Sequence, residues 1–176
     1  MTMRHYTLTA KVLHWLMALL IFTALPLGFY MHDLKLSPAK LQLYSYHKWI
    51  GVSLLLLCLV RILWRITHRP PALLLERWQH TASNVVHRLL YLLLLAIPLS
   101  GWLMSSAKGV QTVWFGIIPL PNLVEKNKVL GILLGQIHES LSYILLILVI
   151  LHIAAALKHQ FIDRDKLLSR MLFGVN

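Results

Sequence analysis

The stretch HESLSYILLILVILHIAAALKH, residues 138–159, decides how the rest of the chain is read. Its charged side chains, Glu139 and Lys158, stand at the two ends, and every residue from Ile144 to Leu151 is aliphatic. As a helix, about 20 such residues cross the roughly 30 Å of a bilayer's hydrocarbon. Yet the segment carries His138, His152 and His159. A neutral imidazole needs a hydrogen-bond partner or a metal, and hydrocarbon supplies neither. At about 100° and 1.5 Å per residue, His152 returns to within about 40° of the His138 face, about 21 Å along the axis. His159 follows seven residues later, again nearly in line. One helix therefore presents a histidine near each membrane surface.

The other runs have the same character. Of 176 residues, 58% are hydrophobic and 13% charged, with mean hydropathy +0.68. A soluble domain of this length needs more polar surface, so the chain reads as an integral membrane protein. Four spans are expected, at approximately Val12–Met31, His47–Ile66, Asn84–Met104 and Gly131–Leu157. The fold class is all-α, a four-transmembrane-helix bundle forming a single domain over residues 1–176. The first run is too long for the apolar region of a signal peptide and no A-x-A-like site follows it, so it reads as a retained helix. Pro26 and Pro98 lie late in their helices, where they kink without breaking the span.

A net charge of +11 invites a nucleic-acid reading. The cations, however, fall between apolar runs and form no basic face interleaved with aromatics, so no nucleic-acid partner is expected. One end collects Arg4, Lys11, Arg61, Arg65, Arg69, Arg77, Arg88, Lys158, Arg164, Lys166 and Arg170. The other collects Lys35, Lys40, Lys48, Lys108, Lys126 and Lys128. The richer end marks the cytoplasm and puts both termini there. In the long third connection, Trp114 reads first as an interfacial anchor and second as part of a re-entrant or lid-like loop. The single cysteine, Cys58, excludes an internal disulfide and a C-x-x-C-H haem attachment, and reads as a packing residue.

Each helix-four histidine finds a partner at its own depth. His14 enters helix one from the cytoplasmic side, level with His152; His47 enters helix two from the opposite side, level with His138. Facing histidines inside a helix bundle suit a planar macrocycle, and two non-covalent haems b satisfy both pairs. Zinc sites commonly add carboxylates or thiolates, and within the spans only Glu139 is acidic. His87 and His159, also toward the cytoplasm, remain open as replacements for His14 or His152, as propionate partners, or as proton donors and acceptors for a quinone. Arg61 and Arg65, one turn apart, read as snorkelling side chains or propionate partners. His5, His32, His68 and His80 are expected in solvated loops or tails.

The LHW at His14, HKWIGV at 47–52, HRLLYLLLLAIPLSGW at 87–102 and IHESLSYILLILVILHIAAALKHQF at 137–161 together resemble the bacterial cytochrome b561 family. That resemblance covers nearly the whole chain, including a DKLLSRML tail. It implies a multi-pass inner-membrane protein with two haems b, exchanging electrons with ubiquinone, and ligands at His14, His47, His138 and His152. It puts His159 near the quinone. Superoxide oxidase activity within that family implies superoxide as electron donor at the outer face, where the six lysines would steer it and His87 or His159 would help proton uptake. The alternative is a cytochrome b anchor subunit linking a hydrogenase or formate dehydrogenase to the quinone pool. A haem-free transporter or scaffold is the remaining class, separable by an absorbance spectrum.

Overall fold

Each helix begins at a polar residue that hydropathy does not register. Thr7, Ser37 and Asn127 accept hydrogen bonds from backbone N–H groups three residues on, and Ser37 is followed by Pro38 in the first helical turn. Glu76 and Gln79 close a reciprocal capping box. The computed structural model describes residues 6–68, 76–165 and 167–174, with α1 Leu8–Asp33, α2 Pro38–Thr67, α3 Arg77–Ala107 and α4 Lys128–Phe161. All four are long and apolar enough to cross a membrane. Every helix outruns the expected span, α2 by nine residues at its start, because the caps lie beyond the lipid-compatible segment. Pro26 and Pro98 sit inside continuous helices.

The closely packed helix pairs are α1 with α2, α2 with α3, and α3 with α4. Between them Met17, Ile21, Ala24, Leu54, Cys58, Leu93, Leu94 and Leu145 form one buried cluster. Cys58 is fully buried within it, in the packing role expected. Leu145 lies seven residues from both His138 and His152, so the stripe that carries the histidines seals the middle of the bundle with an aliphatic side chain.

The third connection folds into a hairpin of β1 Val113–Trp114 and β2 Ile118–Pro119, paired antiparallel. Its tip has positive φ at both Phe115 and Gly116, the geometry of a tight hairpin turn. The hairpin docks on α2: Trp49 Nε1 donates to the Val113 carbonyl at 2.8 Å, and Trp114 Nε1 to Ser53 Oγ at 3.3 Å. Trp114 is thus hydrogen-bonded to α2. At the opposite end, Lys11 is buried and donates through Nζ to the Leu172 carbonyl at 2.7 Å, while Trp15 Nε1 donates to the Met171 carbonyl. The 3-10 turn Leu168–Met171 is held under α1 in this way.

Candidate functional site

His47 on α2 faces His138 on α4 with ring centres 6.2 Å apart, and His14 on α1 faces His152 on α4 at 6.3 Å. Both pairings are those expected from depth. Two imidazoles sharing one iron have ring centres about 6.3 Å apart: about 2.0 Å per metal–nitrogen bond and about 1.15 Å from nitrogen to ring centre. Neither α1 with α4 nor α2 with α4 is among the closely packed helix pairs, so the helices carrying each pair stand apart. A planar group fits between helices spaced in this way.

Hydrogen bonding of the distal ring nitrogen supports the fit at His138. A histidine that ligates through Nε2 normally donates Nδ1–H to a carbonyl or carboxylate, which fixes its tautomer. His138 Nδ1 lies 3.0 Å from the Ile97 carbonyl and 3.1 Å from Ser100 Oγ. The Ser100 hydroxyl itself donates to the same Ile97 carbonyl. His47 Nδ1 is buried and closes no hydrogen bond. Ile97 and Ser100 carry no ligand-type signal in the sequence, because a backbone carbonyl and a hydroxyl of an apolar span do not advertise a partner. Pro98 was the nearest visible mark.

The inner layer holds three imidazoles. His87 Nδ1 donates to the Ser83 carbonyl at 2.7 Å, and its ring centre lies 5.3 Å from that of His152. That separation is about 1 Å too short for an iron between them, so geometry favours His14 over His87 as the partner of His152. His159 stands apart: its Nδ1 is 2.6 Å from Asp165 and 3.1 Å from Asp163, which also binds Lys158 Nζ. Among the described residues it makes no ring contact with the other three histidines. His159 is therefore not arranged to replace either inner histidine.

Arg61 donates to Tyr91 Oη and to the Ala10 carbonyl in the first turn of α1, each at 3.0 Å. Its Nη2 also lies 3.4 Å from His14 Nδ1. A guanidinium has only donors, so this contact requires the His14 proton on Nε2. Ligation of a metal through Nε2 would need the opposite tautomer, and Nη2 would then be free for another acceptor. Arg65 lies over the Tyr91 ring, 5.9 Å from its centre. Tyr91, between the two arginines, is a site residue that the pattern of charges did not reveal.

The six outer lysines divide into two groups. Lys40 Nζ binds the His32 and Leu34 carbonyls at the end of α1, and Lys48 Nζ, partly buried, donates to Ser105 Oγ at 2.6 Å. These two are engaged in holding the fold, which weakens their part in steering. Lys35, Lys108, Lys126 and Lys128 are exposed. The Lys108 chain runs along α4 over Gly131 and Gly135, bringing Nζ to within about one turn of His138. Of the remaining histidines, His32 lies in the last turn of α1, His68 caps α2 and stacks on Trp64, and His80 lies in α3 rather than in a loop. Arg4, His5, Arg69 and Lys166 fall outside the described residues.

The sequence profile of prokaryotic cytochrome b561 matches residues 5–174. Cytochrome b561 homolog 2 of Escherichia coli K12 is 33% identical over 174 residues, covering 97% of this chain and 93% of the relative. Cytochrome b561 homolog 1 of the same organism is 29% identical, covering 97% and 98%. The probable superoxide oxidase of Yersinia pestis is 27% identical, covering 91% of each. A whole-length match thus meets a four-helix bundle with facing histidines, and the chain belongs to the prokaryotic cytochrome b561 family, bacterial multi-pass membrane electron-transfer proteins that carry haem b.

Proposed function

We propose that this chain is an inner-membrane superoxide:ubiquinone oxidoreductase with two haems b, one per histidine layer. The carrying observation is the pair of facing-histidine layers, at 6.2 and 6.3 Å, near opposite ends of the bundle. His47 and His138 hold the outer haem, and His14 and His152 the inner one. Bound at both layers, haem supplies reversible one-electron transfer, linking a one-electron donor outside to a two-electron acceptor inside. Two superoxide ions give up one electron each and leave as dioxygen; one ubiquinone takes two electrons and two protons to become ubiquinol.

The chain's own residues do the rest. The outer end bears Lys35, Lys108, Lys126 and Lys128, which raise the local concentration of a small anion. At the inner end Arg61 and Arg65 neutralise propionates, Arg61 with the Nη2 released from His14. His87, held by the Ser83 carbonyl, and His159, paired with Asp165, deliver protons from the cytoplasmic side. Both termini are cytoplasmic, following the basic bias of that end. The similarity to the probable superoxide oxidase of Yersinia pestis supports superoxide as the donor.

The test is anaerobic stopped-flow on the purified protein. Superoxide is expected to reduce it, and ubiquinone to reoxidise it. Failure of superoxide, with reduction by a docked hydrogenase or formate dehydrogenase instead, would replace this reading with an anchor subunit.

A further inference from the structure

Both outer histidines rest on a glycine of a neighbouring helix. A Cβ added to Gly28 of α1 would lie 3.1 Å from His47 Cε1, and one added to Gly101 of α3 would lie 3.0 Å from His138 Cε1. Carbon atoms make optimal contact at about 3.5–4.0 Å, so neither position accepts a methyl group while the ring stays in place. At Gly101 the carbonyl that His138 Nδ1 faces belongs to Ile97, four residues before the glycine. The local sequences are ALPLG at 24–28 and IPLSG at 97–101. Two different helices thus each present a glycine floor to one of the facing imidazoles. The imidazole planes that result stand at 79° to one another.

We propose that Gly28 and Gly101 are positioning residues that set the ring planes of His47 and His138. This rests on the outer haem reading given above. Near-perpendicular axial imidazoles leave the two upper d-orbitals of a low-spin ferric iron close in energy, which gives a highly anisotropic resonance with a large maximum g value. Turning either ring toward the plane of the other separates those orbitals and lowers that g value. A methyl group at either glycine requires the ring above it to give by a few tenths of an ångström, and on this proposal the ring does so by turning toward its partner's plane.

The experiment is electron paramagnetic resonance of the oxidised, haem-loaded protein, compared across Gly28→Ala, Gly101→Ala and Gly51→Ala. Gly51 lies on α2 with nothing within 4 Å of an added Cβ and serves as the control. His138→Ala identifies which signal belongs to the outer layer. Gly28→Ala and Gly101→Ala are each expected to move the outer maximum g value downward and shift the outer midpoint potential, leaving the inner signal in place. Gly51→Ala is expected to match the wild type. If the protein shows two signals and neither alanine variant moves the outer one, the inference is overturned. If Gly101→Ala does not accumulate, Gly28→Ala alone decides the matter. A wild type with no signal sensitive to His138→Ala would instead refute the outer haem itself.

Discussion

Replacing His138 with alanine is expected to remove one of two haems, halving the haem content, and replacing His47 is expected to give the same product. The two rings face each other at the separation required by a shared iron, so loss of either leaves five-coordinate iron in a site built for two axial bonds. The double variant should lose no more haem than either single one, because residues acting as a unit are strongly non-additive. His14→Ala and His152→Ala should likewise converge on loss of the other haem. His87→Ala should keep both, since its ring centre lies only 5.3 Å from that of His152. Haem content by pyridine haemochrome, with reduced-minus-oxidised spectra of each variant, distinguishes these outcomes. Loss of the inner haem in His87→Ala together with its retention in His14→Ala would reassign the inner ligand.

Neutralising Lys108, Lys126 and Lys128 to glutamine is expected to slow reduction by superoxide about tenfold at low ionic strength, within the range that electrostatic steering provides. The outer end carries six lysines against Asp33, Glu125 and Glu139, a balance of plus three that the triple variant reduces to zero. Lys40 and Lys48 are left intact because their ammonium groups hold the end of α1 and Ser105. The Debye length falls from about 10 Å at 0.1 M salt to about 3 Å at 1 M, so the two rates should converge as salt rises. Reduction from the cytoplasmic side by ubiquinol should be unchanged. A wild-type rate that is independent of salt, matched by an equally fast variant, would remove steering from the account.

Much of this was legible because helical periodicity survives burial. His138, Leu145, His152 and His159 recur every seven residues, so one stripe of α4 could be followed from end to end without coordinates. The span ends were less legible, because hydropathy measures transfer into lipid whereas Ser37, Glu76 and Asn127 start helices through hydrogen bonds. The contacts of Arg61 with Ala10 and Tyr91 were hidden because they lie 51 and 30 residues away in sequence. The docking of Trp114 on Ser53 was hidden for the same reason, since the two are 61 residues apart. Gly28 and Gly101 gave the faintest signal, since a missing Cβ matters only when the ring that takes its place is known.

Everything proposed for the site rests on each histidine layer holding its own haem. The most direct measurement is the number of haems b per chain in the purified protein, by pyridine haemochrome against quantitative amino-acid analysis, with the spin state read from the same sample. The histidine geometry predicts two per chain, both low-spin with two axial imidazoles. A value of one, or of none, would contradict it.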